Sequence, residues 1–116
     1  MDHHYDSAYY LAGYAVECAL KAGIARQFRE HDFPDKETVV DSYTHDLVKL
    51  VRVAGLEAKL NEALALSKDF KLNWLIVKDW SEESRYENRG EAQAEALIVA
   101  VADPAFGVLG WIQQHW

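Results

Sequence analysis

From Asp6 to Phe28 the chain has no proline, and its alanines fall at positions 8, 12, 15, 19 and 22. Spacings of four, three, four and three put them on one stripe of a helix. Methyl groups in a row let a neighbouring helix approach closely. A second stripe carries Tyr10, Tyr14, Glu17, Lys21, Ile24 and Phe28. With two largely apolar faces, this helix is predicted to be the central and most buried element. Asp6 or Ser7 is placed to cap its start.

The rest of the chain continues in the same manner. Residues 30–43 hold Pro34 and several charges and read as a partly ordered connection. Thr44 is placed as the cap of a second helix carrying Leu47, Leu50, Val51 and Ala54, with Asp46 near its positive end and Gly55 as its stop. A third helix begins near Leu56. Leu60, Leu64, Ser67, Phe70, Trp74 and Val77 keep its period, which weakens between Asp69 and Asn73, the place where a break in the helix is allowed. Residues 80–87 read as a polar loop with some helical turn. Gly90 opens a fourth helix that runs to Ala102. Asp103-Pro104 then leads into a short last helix with Val108, Leu109, Trp111 and Ile112. The expectation is a single all-α domain over residues 1–116, an up-and-down bundle of four to five helices.

Composition excludes several classes. Two prolines and six glycines in 116 residues are too few for many short strands joined by turns. One cysteine, Cys18, cannot make an internal disulfide, and the opening Met-Asp-His-His-Tyr-Asp has no signal-peptide pattern. A cytoplasmic location is therefore expected. The most apolar window, Ala8 to Ala25, is interrupted by Glu17 and Lys21 and reads as a buried helix, not a membrane span. The formal charge of −7 argues against a general nucleic-acid coat, while leaving room for a local basic cleft.

The run Tyr9-Tyr10-Leu11-Ala12-Gly13-Tyr14-Ala15-Val16-Glu17-Cys18-Ala19-Leu20-Lys21-Ala22 resembles the first long helix of the HEPN domain family. Thr44-His45-Asp46-Leu47 resembles that family's second-helix start. Arg85-Tyr86 after an acidic, serine-containing segment also fits, as does Gly107-Val108-Leu109 with Trp111-Ile112. The resemblance implies a HEPN-like helical bundle, often dimeric. It implies one of two roles: a ribonuclease of toxin–antitoxin or other defence systems, or a non-catalytic partner of a minimal nucleotidyltransferase. Ribonuclease members carry, late in the bundle, an arginine followed four to six residues on by a histidine. This sequence departs there, because after Arg85 and Arg89 the next histidine is His115. The same spacing does occur early, in Arg26 and His31.

Metal-free RNA cleavage needs an acid or base near the 2′-hydroxyl and leaving oxygen, and a cation beside the phosphate. His45 is the candidate base and Arg85 the candidate phosphate partner, with Arg26 and His31 as a second pair. Beside an N-cap, His45 has the alternative role of ordering a helix start. Glu17 and Lys21 stand i, i+4 in the favourable order inside an apolar helix. Burying either alone is costly, so the pair reads as an internal ion pair that also takes in Arg85 or His45. Alternatively, Glu17, Lys21, His45, Asp46, Arg85 and Tyr86 line a polar pocket between helices. Trp74, Trp80, Trp111 and Trp116 read as core and interface anchors. Cys18 reads as a small buried packing residue. His3-His4 has no third ligand, and there is no glycine-rich phosphate loop, zinc spacing or serine triad, so neither metal nor cofactor is expected.

The leading expectation is a protein without its own catalytic site, acting through homodimerisation and a protein partner such as a minimal nucleotidyltransferase. The competing ones are a metal-independent ribonuclease or toxin, for which RNA is the substrate, and a nucleotide-binding module.

Overall fold

A buried seam along one helix organises the molecule. The computed structural model describes residues 4–30, 36–83 and 90–116. They form seven helices and no strand: α1 (His4–Glu30), α2 (Lys36–Asp41), α3 (Leu47–Val53), α4 (Glu57–Leu66), α5 (Lys68–Lys78), α6 (Glu91–Ala102) and α7 (Val108–Gln114). The count exceeds the four or five predicted for two reasons. The connection after α1 contains a short helix, and the predicted third helix is two.

On α1 the residues turned inward are Tyr9, Gly13, Val16, Leu20 and Ile24, joined by Glu17 and Ala19. This seam runs between the two predicted stripes. Ala15 and Ala22 of the alanine stripe are exposed, and so is Tyr14 of the second stripe. Burying a valine, leucine or isoleucine gains roughly 1.5–3 kcal/mol, far more than a single methyl offers, so the large side chains decide the rotation of the helix. Only one side of α1 is buried, which corrects the expectation of two. Cys18 is exposed and not a packing residue, because it lies two positions, about 200° of helical turn, from both Val16 and Leu20.

Asp46, not Thr44, is the N-cap of α3. Its Oδ1 accepts from the backbone N–H of Val48 at 3.0 Å and of Lys49 at 3.2 Å. A capping oxygen must reach the second and third helical amides. Thr44 stands two residues too early, and its hydroxyl accepts from the Asp46 N–H instead. Gly55, with φ +76°, ends α3 as expected, and the Leu56 N–H returns to the Val51 carbonyl at 3.0 Å.

The break in the predicted third helix is at Ser67, before the Asp69–Asn73 region where the period weakens. Ser67 is extended, at φ −132° and ψ 114°, and its Oγ accepts from the Phe70 N–H at 3.1 Å. Leu60, Phe70, Trp74 and Val77 are buried on either side of it. Gly90 precedes α6 as predicted. Of the seven consecutive apolar residues Ala96–Ala102, Leu97, Ala100 and Val101 point inward, while Ile98 and Val99 are exposed. After α6, the Asp103 carboxylate accepts from the N–H groups of Ala105 and Phe106 at 2.8 and 2.9 Å, making the turn into α7. α1 packs most extensively on α6, and also on α3 and α7. The whole measures 49 × 32 × 17 Å, a flat slab. None of its described helices is long and apolar enough to cross a membrane.

Candidate functional site

Glu17 is the one buried charged residue among those described, at 2% exposure. It lies on the inward side of α1, one turn before Lys21, whose Nζ is 3.4 Å from Oε2. Across the fold, His45 Nδ1 lies 3.0 Å from both carboxylate oxygens. A carboxylate can only accept, so Nδ1 carries the proton and donates. In a neutral ring Nε2 keeps its lone pair, and in a charged ring it is a second donor. The His45 side chain is half exposed.

The local sequence explains how these groups meet. Asp46 starts α3 and Leu47 is buried at its base, which holds His45 just outside the helix against α1. The internal ion pair predicted for Glu17 and Lys21 is present, with His45 as the third member. Asp46 adjoins it but is engaged in capping. Arg26 is exposed near the C-terminal end of α1, well along the helix from Glu17. Arg85, Tyr86 and His31 lie outside the described residues, so the proposed partnerships of His45 with Arg85 and of Arg26 with His31 have no described geometry.

His45 stands on the rim of an open cleft of about 620 Å³ lined by residues 44–46 and 78–83. Among the described residues its walls present four carboxylates, Asp46, Asp79, Glu82 and Glu83, against one lysine, Lys78. The cleft floor includes Trp80, which is 2% exposed and whose ring is packed directly on Gly13. Its Nε1 is buried without a hydrogen-bond partner among the described residues. Sequence reasoning named Trp80 as an anchor but missed Gly13. A glycine in the middle of an otherwise alanine-rich helix was the available signal.

A second, smaller cleft of about 190 Å³ lies between the α4–α5 junction and α7, with Phe70, Phe106 and Trp111 among its walls. Phe70 and Trp111 are 5.5 Å apart between ring centres, and Trp111 meets His115 edge-on at 4.9 Å. Burial, and after it the Lys59 charge, holds the His115 imidazole below its ordinary pKa. Hydrogen bonds from Phe106 and then Ala105 lower that of Asp103. On α1, a hydrogen bond with Cys18 is the largest influence raising the Tyr14 phenol. Among the described residues no group of three His, Cys, Asp or Glu side chains gathers as a metal site. Set against known protein families, curated proteins and solved structures, the chain matches none of them.

Proposed function

We propose that this chain is a HEPN-type helical domain that acts through protein contacts: it forms a homodimer and docks a protein partner of the minimal-nucleotidyltransferase kind. The observation that carries the reading is the apolar surface left outside. Leu11 and Tyr14 on α1, and Ile98 and Val99 on α6, are 59%, 40%, 42% and 57% exposed. Large apolar groups left in water offer a protein partner area to bury. The polar centre supports the same reading. Glu17 is consumed by Lys21 and His45, and Asp46 by the α3 amides, so each has a structural task. The late arginine–histidine pair of the family's ribonucleases is absent from the sequence.

A second reading is favoured by one feature. A buried carboxylate that fixes the tautomer of a half-exposed imidazole is the arrangement a general acid–base histidine uses. His45 would then serve a metal-independent ribonuclease. The carboxylates among the described residues of the cleft beside it weigh against an RNA substrate.

The test is RNA degradation by the purified, metal-free protein beside its His45→Ala and Arg26→Ala variants, with the mass in solution measured in parallel. The expected outcome is a dimer without RNA cleavage. Cleavage lost on His45→Ala would overturn the proposal in favour of the ribonuclease.

A further inference from the structure

Gly107, Gly110, Trp111 and Gln114 stand at i, i+3, i+4 and i+7, so one stripe of α7 faces the cleft at the α4–α5 junction. Glycine inside a helix costs about 1 kcal/mol against alanine. Gly107 precedes the helix and has a packing reason, because a Cβ there would meet the Asp103 backbone at 2.4 Å. Gly110 stands within α7 and has none, since a Cβ there would meet nothing within 4 Å. It leaves open a part of the cleft that a side chain would fill.

The cleft is held open by its own bonds. The Asp103 carboxylate fastens the turn that carries Phe106, and the Asn73 amide donates to the Phe106 carbonyl at 3.0 Å. Phe106 stays partly exposed as one wall. Phe70 and Trp111, with ring centres 5.5 Å apart, make a second aromatic wall, and His115 meets Trp111 edge-on. A site formed before its ligand arrives spends little on ordering.

Size and chemistry choose the occupant. An apolar cavity of about 150 Å³ holds one benzene ring. This cleft, at about 190 Å³, takes a single ring and little more. Among the described residues, none that lines it is charged, so a charged ligand would lose its water without gaining a counter-ion. Three aromatic side chains among the walls favour an aromatic guest over an aliphatic one. The Gln114 amide makes no hydrogen bond among the described residues and offers one polar anchor. Glu62, Lys68 and Asp69 adjoin the lining residues Ala63 and Ser67 in the chain and are exposed. Such residues are depleted at the centres of protein interfaces, so the site suits a free molecule better than a covering protein.

We propose that this cleft binds a small, uncharged, single-ring aromatic molecule with one hydrogen-bonding group, of the phenol type. The site is separate from the residues on which the proposed protein contacts rest, since Leu11, Tyr14, Ile98 and Val99 do not line it.

The test is a titration of the whole chain with phenol, followed by two-dimensional amide NMR, beside cyclohexanol and two variants. Phenol is expected to saturate with a Kd of about 1 mM or tighter, within what a single-ring molecule can supply, and to shift resonances of residues 63–70 and 104–114. Cyclohexanol, of similar size but without a ring current or π face, is expected to bind about threefold more weakly or worse. Gly110 is exposed and helical, so Gly110→Leu keeps the fold, as circular dichroism would verify. It fills the cleft and is expected to weaken phenol at least about tenfold. Phe106→Ala, at the exposed wall, is expected to weaken it about threefold. Phenol shifts that do not saturate, that spread over the molecule, or that survive both substitutions would overturn the site. Cyclohexanol binding as tightly as phenol would overturn the aromatic class of its ligand.

Discussion

A methyl group at Gly13 would sit 2.2 to 2.3 Å from three atoms of the Trp80 ring. Such a contact is impossible without movement, and both residues are buried. Helix propensity favours alanine over glycine by about 1 kcal/mol, so at this position packing opposes propensity and packing wins. Gly13→Ala is expected to destabilise the fold by about 2 kcal/mol or more despite the gain in propensity, read from urea unfolding followed by tryptophan fluorescence. An unchanged midpoint would mean that Trp80 is free to move away. Apolar packing on Gly13 and Tyr10 fixes the Trp80 ring in place.

The elements themselves are short. Six of the seven run for twelve residues or fewer, lengths at which an isolated helix is marginal in water, so caps and packing must sustain them. Ser67 shows both at once. Its extended backbone ends α4 and its hydroxyl begins α5. Ser67→Ala is expected to cost about 1 kcal/mol, with the loss of amide-exchange protection concentrated in the first turn of α5. A loss spread evenly over both helices would mean that the cap is not their boundary. The apolar period from Leu60 to Val77 weakens only at Asp69–Asn73, where the sequence allows a break, and the backbone divides it earlier, at Ser67. A serine tolerated within helices and favoured at caps cannot announce which role it plays.

At the scale of the molecule, α1 is a spine to which distant parts of the chain are tied. Glu17 accepts from His45, 28 residues on. The Gln27 amide donates to the Ala54 carbonyl at 2.7 Å, and the Trp116 indole donates to the Ala19 carbonyl at 3.2 Å, beside Gly23. Glu17→Ala removes the first tie and leaves Lys21 and His45 without their shared carboxylate. Breaking a fully buried pair costs about 3–5 kcal/mol, but these two partners are a third and a half exposed and regain water. The expected loss is about 1–3 kcal/mol in urea unfolding at neutral pH, and less for Glu17→Gln, which keeps an acceptor for His45. A variant as stable as the wild type would show that the ion pair contributes nothing net.

What the sequence determined alone is the helical nature of the chain, most helix positions, the stop at Gly55 and the Glu17–Lys21 pair. Each of these follows from local rules: period, caps and i, i+4 spacing. The tertiary structure alone decided which side of α1 faces inward. That helix has apolar groups around most of its circumference, so its period does not choose a face. The choice falls to whichever side chains gain most against α3, α6 and α7. The exposure of Cys18 and the burial of Gly13 follow from that one rotation. So does the meeting of Glu17 with His45, because a contact across 28 residues depends on how helices dock and not on what any short stretch prefers.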